Sequence, residues 1–417
     1  MTKPQVIVVG AGLAGSLLAA LLGQRSVKTL VLESRRDPRK HGSQGGRSIN
    51  LALSTRGRTA LARAGLEATV VSDGMPMAAR LMHDRQGNLT RQPYAKDEQQ
   101  AILSVGRSRL NATLLEAAEH TSSVEFRFEQ KVTGLRDDGK AVHFGKECLE
   151  ADLIVGADGA GSVVRQSLEA LKCCQSVTEP LGHAYKELEL PPRQGRHALD
   201  PGALHIWPRG GEMAIALPNP DGTFTGTLFF ANETFDRLQN EAEARDHLQT
   251  HYHSMLQHVP DFEKQWSKNP VGFLGTLRVD QWHHGNTVLI GDAAHAIVPF
   301  YGQGMNAAFE DVRRLDELHA AGVNNLPEVL FQERKPNADA IAEMALMNFV
   351  EMRDHVGDPM FLNRKALERK LGRWIPKMFT PLYDRVSFSN QPYADALRHG
   401  KRQDQLLRRL QSLGLGR

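Results

Sequence analysis

Short apolar runs that end in glycine mark the chain at three widely separated places. Val6-Ile7-Val8-Val9 is apolar without interruption, the pattern of a strand buried on both faces, and it runs into Gly10-Ala11-Gly12-Leu13-Ala14-Gly15. A Leu- and Ala-rich stretch from Ser16 to Leu22 predicts a helix, and Lys28 to Leu32 predicts a second strand ending at Glu33. A second run, Ala151 to Val155, enters the loop Gly156-Ala157-Asp158-Gly159-Ala160-Gly161-Ser162, with Val163 opening the next element. A third, Thr287 to Ile290, delivers Gly291-Asp292 to a strand end, and Gly302-Gln303-Gly304 then opens a helix near Met305. Strand, glycine turn and helix in this order predict an α/β fold with a parallel sheet.

Other segments have a different rhythm. Ala78 to His83 reads as a strand, and Asp84-Arg85-Gln86-Gly87-Asn88 as a reversal that brings Tyr94 opposite Arg80 within one residue. Ala203 to Phe230 reads as sheet, with Met213–Leu217 paired to Phe224–Phe230. Asp339 to His355 reads as a helix that places Ile341, Ala345, Asn348 and Met352 on one face. The expected organisation is a discontinuous dinucleotide domain (1–72, 98–177, 275–330), a β-sheet substrate domain inserted in it (73–97, 178–274), and a helical C-terminal region (331–417) that caps the active site.

Composition narrows this picture. At 417 residues the chain exceeds one small core. Lys and Arg number 51 against 48 Asp and Glu, a net charge of +3 that gives no broad footprint for nucleic acid. Part of the excess sits in the tail, Arg398 to Arg417. Cys148, Cys173 and Cys174 are odd in number and two are adjacent, which argues against a disulfide framework, and their spacing suggests no metal site. Lys3 leads straight into a strand without a signal peptide, and no uncharged run approaches the roughly 18 residues that span a bilayer. A cytoplasmic protein without a transmembrane anchor is expected, and a homodimer is left open.

The chemistry follows from the glycines. Gly10 permits a tight turn, Gly12 lets the backbone approach a pyrophosphate, and Gly15 allows close helix–strand packing. The N–H groups and positive end of the helix attract phosphates, and Glu33, about 20 residues on, accepts from a ribose. No second fingerprint of this quality occurs, and Gly42 to Gly46 lacks a preceding strand. One resident dinucleotide is therefore expected. The Gly291 segment points to FAD: Asp292 is placed for a ribityl hydroxyl, and Gly302 and Gly304 keep side chains away from a flat ring. The helix near Met305 aims its positive end at reduced flavin. Asp158 serves either the cofactor or its own loop.

The three segments together resemble the group A flavin aromatic hydroxylases, the p-hydroxybenzoate hydroxylase-like family. Gly46-Arg47-Ser48-Ile49-Asn50-Leu51-Ala52-Leu53-Ser54, Leu204 to Arg209, His295 to Asn306, Asn348 to Arg353 and Pro381-Leu382-Tyr383 resemble most closely the branch that hydroxylates L-kynurenine to 3-hydroxykynurenine with NADPH and O2. The resemblance covers nearly the whole chain. It implies a Rossmann-like FAD domain with an inserted sheet domain. It implies FAD contacts at Leu13, Ala14, Leu32, Glu33, Ser34 and Arg35, then at Ala52, Arg107 and Val132, and at Asp292, Gly304, Met305 and Asn306. Arg80, Tyr94, Asn348 and Tyr383 become substrate contacts; Tyr301 and Gln303 fall at the edge where flavin meets substrate, with no general base assigned. Animal and fungal members carry a hydrophobic C-terminal anchor, whereas Gln403 to Leu410 here is short and charged, closer to bacterial members.

The residues themselves leave alternatives open. An arginine fork suits a carboxylate, but without the resemblance Arg80 reads more readily as an exposed salt-bridging residue. Asn348 on an apolar face is a ligand contact or a satisfied core amide. Tyr383, His205 and Trp207 are explained as well by packing, and His295 by support of its loop. A flavin hydroxylase of a related aromatic acid or of a substituted kynurenine is the alternative activity. A cofactor-free binding protein of the same fold, such as the GDP-dissociation inhibitors of small GTPases, is the alternative class.

Overall fold

A computed structural model describes residues 4–41, 50–94, 100–352, 359–375 and 379–412. The motif residues Gly46 to Ile49, the glycines at 42–46 and Arg353 lie outside the described residues. The chain divides into two compact units: residues 1–73, 105–179 and 275–342 form one, and residues 74–104, 180–274 and 343–417 form the other.

The first unit is built on a six-stranded sheet in the order His283–His284, Thr287–Leu289, Leu153–Gly156, Val6–Val9, Thr29–Leu32, Val124–Arg127. All neighbours are parallel except the hairpin at His283–His284. Val6–Val9 lies near the middle and is fully covered, which explains its unbroken apolar run. Helix Leu13–Gln24 follows it and packs beside helices Arg107–Glu119 and Gly304–Ala320. Ile7, Leu30, Ile154 and Leu289 join Phe144, Val164 and Trp282 in one core. The strand ends before Gly10, Gly156 and Gly291 thus lie side by side along one sheet.

The second unit holds most of a seven-stranded sheet in the order Val271–Val279, Ser176–Leu190, Phe224–Ala231, Met213–Pro218, Ala203–Pro208, Ala79–His83, Leu89–Pro93. The expected pairing of Met213 with Phe224 strands is present, with Ile215 opposite Thr227. One face carries Leu188, Trp207, Ala214, Leu228 and Phe230 against Leu248, Tyr252 and Met255 of helix Glu241–Leu256. Side chains alternate along a strand, so register assigns Arg80, Leu204, Ile206, Ile215 and Phe229 to the other face.

Two expectations shift. Helix Leu326–Val350 begins well before Asp339 and contains Pro336 in its interior. Proline removes one helical hydrogen bond. The preceding turn is held instead by Arg334, whose guanidinium is buried against Glu310 and Asp311. The hairpin register also differs: Arg80 faces Gln92, and Tyr94 donates its N–H to Ala78. Tyr94 is therefore two residues from the expected partner. An offset of two preserves the face, and a long side chain still reaches diagonally.

Candidate active site

In the first unit, the fingerprint loop has the geometry a phosphate cradle needs. Gly10 has φ +103°, and a Cβ there would stand 2.6 Å from the carbonyl oxygen of Ala157. A Cβ at Gly12 would meet nothing within 4 Å, so the space beside this turn is open. Gly12 makes no side-chain cap to helix Leu13–Gln24, which leaves the first helical N–H groups directed at that space. The donor set suits a pyrophosphate. Leu13 and Ala14 are half-buried at this helix start.

Glu33 ends the second strand as expected. Its Oε2 accepts the Ala11 N–H at 2.9 Å, and its Oε1 accepts the N–H and Nε of Arg35, both at 2.9 Å. Burial works against its ionisation, but Arg35 and these N–H donors hold its carboxyl below the usual range. Leu32 is buried, whereas Ser34 and Arg35 are exposed. Gln130 donates its N–H to Glu33 O and Glu129 to Arg35 O, which brings the strand start at Val132 next to this corner.

Asp158 serves its own loop. Its carboxylate accepts the Ser162 hydroxyl at 2.6 Å and the Val163 N–H at 2.7 Å, capping helix Val163–Ala170. Burial pushes its carboxyl above the usual range despite these donors. Of the two roles left open for Asp158, this structure displays the loop role.

The third segment is tied to strand Asn50–Leu53. Asn306 donates to Ala52 O at 2.8 Å and Gly302 O at 2.9 Å, and accepts the Ser54 N–H at 3.0 Å. Gly302 has φ +65°, and a Cβ there would lie 2.9 Å from Ala52 Cβ. Gln303 is 1% exposed and its carbonyl accepts from the Ser54 hydroxyl at 3.3 Å; Tyr301 is also buried. Helix Gly304–Ala320 starts here without a side-chain cap, with Gly304 and Met305 half-buried. Asp292 is exposed at the first turn of the short helix Asp292–His295. Arg107 is exposed and is the first residue of helix Arg107–Glu119.

Sequence reasoning missed Asn111 and Asp311. Asn111 donates to Ala11 O at 3.3 Å, bracing the fingerprint loop. Asp311 accepts the Gly291 N–H at 3.0 Å. Each looks like an ordinary polar residue on a helix, and its partner lies 100 or 20 positions away.

In the second unit three of the four substrate candidates, Arg80, Tyr94 and Tyr383, lie together. The Arg80 guanidinium lies 4.5 Å from the Tyr383 ring centre and 5.2 Å from that of Tyr94. The two phenols stack at 5.3 Å with planes 11° apart. Burial alone would weaken the Arg80 charge; Tyr383, Tyr94 and the carboxylate of Glu351 outweigh it and raise its pKa. The Tyr94 phenol is pushed up by burial, so it stays a neutral donor. Arg80 Nε is buried without a hydrogen-bond partner among the described residues, a donor left for a ligand. Asn348 is 7% exposed and donates to Met352 Sδ at 3.3 Å, a weak acceptor. Leu204 pairs beside Arg80, so the apolar strand residues named above begin next to the guanidinium.

His205 and Trp207 lie on the opposite face. His205 meets His83 at 2.8 Å, and Trp207 stacks on His83 at 4.1 Å. Burial first, then His205 and Arg209, push His83 down to about 3. Packing accounts for all three. His295 supports its loop by a 2.5 Å contact to Asp311. Among the described residues no cluster of His, Cys, Asp or Glu could hold a metal ion, and no helix is long and apolar enough to cross a membrane.

A family model described as an FAD binding domain matches residues 3–343. The kynurenine 3-monooxygenase of Stenotrophomonas maltophilia is 43% identical over 413 residues, covering 96% of this chain and 90% of that one. That of Myxococcus xanthus is 44% identical over 428 residues, covering 100% and 92%. Among solved structures, a tetrameric 2-methyl-3-hydroxypyridine-5-carboxylic acid oxygenase superposes with TM-score 0.72 at 19% identity, covering 87% of this chain and 96% of that one. Pseudomonas aeruginosa PqsL in complex with 2-aminobenzoylacetate superposes with TM-score 0.71 at 22% identity, covering 85% and 97%. At these identities the structures speak for the fold. The sequence matches run along essentially the full chain, and with them the chain belongs to the kynurenine 3-monooxygenase family of FAD-binding-domain proteins.

Proposed function

We propose that this protein hydroxylates L-kynurenine at the ring carbon ortho to its amino group, using NADPH and O2, in the cytoplasm. The observation that carries the substrate is Arg80 beside the stacked rings of Tyr94 and Tyr383, with a buried Nε lacking a partner among the described residues. A guanidinium fork matches the α-carboxylate of an amino acid, and the two phenols fix its plane. Asn348 supplies an amide donor for the same pole or for the ketone. Leu204, Ile206, Ile215 and Phe229 offer an apolar wall for the anilinic ring.

FAD fits the first unit. The N–H groups after Gly12 would hold the pyrophosphate, Glu33 a ribose and Asp292 a ribityl hydroxyl, while Gly302 to Asn306 would leave room for the ring. When bound, FAD supplies electron transfer from NADPH and the activation of O2 for insertion into the ring. No side-chain nucleophile is required, and no general base is assigned. The part of the side chains is to orient the kynurenine ring, to exclude water and to hold the substrate's charged end away from the reacting carbon. Tyr301 and Gln303 are assigned to the edge where flavin and substrate meet.

The deciding measurement is product analysis after incubation with L-kynurenine, NADPH and air. The expected product is 3-hydroxykynurenine in near-equal yield to NADPH consumed. NADPH oxidation stimulated by a different aromatic acid, with kynurenine inert, would move the substrate assignment to that acid.

Asp292 gives a second expectation. Asp292→Ala removes an exposed acceptor at the strand end and should raise the FAD Kd by roughly 10-fold, the worth of one charged hydrogen bond of about 1.5 kcal/mol. Flavin fluorescence during titration of apo-protein reads it. A variant that keeps full flavin content on dilution would remove Asp292 from the cofactor site.

A further inference from the structure

Five ionisable side chains form an unbroken buried chain in the first unit. Arg56, 1% exposed, donates Nη1 to Glu310 Oε1 at 3.0 Å. Glu310 Oε2 and Arg334 Nη2 form an ion pair at 2.9 Å without hydrogen-bond alignment. Arg334 Nε donates to Asp311 Oδ1 at 2.7 Å. Asp311 Oδ2 meets His295 Nε2 at 2.5 Å and also accepts the Gly291 N–H at 3.0 Å. Burying such charges costs several kcal/mol per ion, and an apolar cluster of the same volume is often as stable. Stability alone therefore does not account for the chain. Its end point does: two of its contacts fall on the loop that carries Asp292.

Asp311 Oδ2 holds that loop at two points, the N–H of Gly291 and the ring of His295. Between them, Gly291 O accepts the N–H groups of Ala294 and His295, each at 2.9 Å. Gly291 has φ +57° and ψ −141°, a conformation L side chains rarely adopt. Its N–H would face the interior unpaired without Asp311. The segment between the two points is thereby fixed, and Asp292 within it stays exposed. Burial pushes the Asp311 carboxyl up, but His295 and Arg334 outweigh it and hold it at about 2, so both oxygens remain acceptors.

We infer that Asp311, seated by Arg334, is the positioning residue of the cofactor loop: it holds the segment on both sides of Asp292, at the Gly291 N–H before it and the His295 ring after it, so that the Asp292 carboxylate is aimed at FAD before FAD arrives. The inference rests on the assignment of Asp292 to the cofactor, and it adds a residue that touches no cofactor atom. Preorganisation of this kind lowers the ordering cost of binding.

The test is FAD titration of apo-protein, read by quenching of flavin fluorescence, beside the apo Tm. Asp311→Asn keeps volume but turns one acceptor into a donor facing donors. It is expected to raise the FAD Kd about 10-fold. Glu310→Gln breaks the Arg56 and Arg334 pairs yet spares both contacts of Oδ2; it should lower the Tm while leaving the Kd within about twofold. In the double variant Asp311→Asn with Asp292→Ala, the Kd should rise no further than in Asp292→Ala alone. Equal loss of FAD affinity in Asp311→Asn and Glu310→Gln would reduce Asp311 to a stability role and overturn the inference. So would additive losses in the double variant. No effect of Asp292→Ala by itself would instead strike at the cofactor assignment. If Asp311→Asn does not fold, His295→Ala removes one of the two holding points and carries the same comparison, with an unchanged Kd as the overturning result.

Discussion

Arg80→Met raises the KM for L-kynurenine by roughly 30- to 700-fold, corresponding to about 2–4 kcal/mol, while FAD stays bound. The size follows from what would be stranded. A carboxylate entering this site gives up water for a guanidinium that is flanked by two phenols and carries a buried Nε. Without the guanidinium the carboxylate keeps the desolvation cost and loses the charge-assisted pair. Arg80 holds the end of the substrate remote from the reacting carbon, so it binds ground and transition states alike; KM should move more than kcat. Methionine preserves the stem that packs beside Leu204. Steady-state NADPH oxidation with product quantified at each kynurenine concentration checks this. A second signature is expected: a looser substrate leaves more NADPH oxidised per hydroxylated product. Unchanged KM and unchanged coupling would take the carboxylate away from Arg80.

The parts of this molecule that were legible in the sequence are those whose cause is local. Val6–Val9 had to be a covered strand because four apolar residues in a row suit no half-exposed one. Gly10, Gly12 and Gly15 could be given separate tasks because their spacing within six residues, set between a strand and a helix, is itself the signal. The family resemblance then carried the substrate residues, which local rules left ambiguous. What failed to show was non-local. Tyr94 was placed opposite Arg80, and the true partner is Gln92, because a turn of unknown tightness sets the register. The face survived since the error was even. The helix expected from Asp339 starts at Leu326, and the anchor beside its Pro336, Arg334 against Asp311 and Glu310, reaches another helix. Asn111 and Asp311 carried no signal: a polar residue on a helix is ordinary until its partner is known. The ties between Ser54 and Asn306 span 252 positions, and no periodicity encodes them.

Gly15→Ala should yield protein that is less stable and largely free of flavin, whereas Gly12→Ala should lose flavin affinity at unchanged apo stability. The two substitutions add the same methyl to the same motif and differ only in where it points. At Gly15 a Cβ would stand 2.0 Å from the carbonyl oxygen of Gly10 and 3.2 Å from Val8 Cγ1. The first of these is backbone and cannot rotate aside, so helix Leu13–Gln24 must move off strand Val6–Val9. Overpacking of this kind costs about 1–3 kcal/mol, and only about 1 kcal/mol returns from the better helix propensity of alanine. The movement carries the helix N-terminus away from Gly10 and spoils the phosphate cradle. At Gly12 the backbone is φ −73°, ψ −172°, open to any residue, and a Cβ would meet nothing within 4 Å. The folded apo-protein has no reason to resist that methyl; only a pyrophosphate lying close to the turn does. Apo Tm and FAD Kd, measured on both variants, separate the two causes. A Gly15→Ala protein with wild-type Tm and flavin content would mean that the helix–strand contact is looser than the geometry states. A Gly12→Ala protein with wild-type affinity would mean that the pyrophosphate does not pass over Gly12.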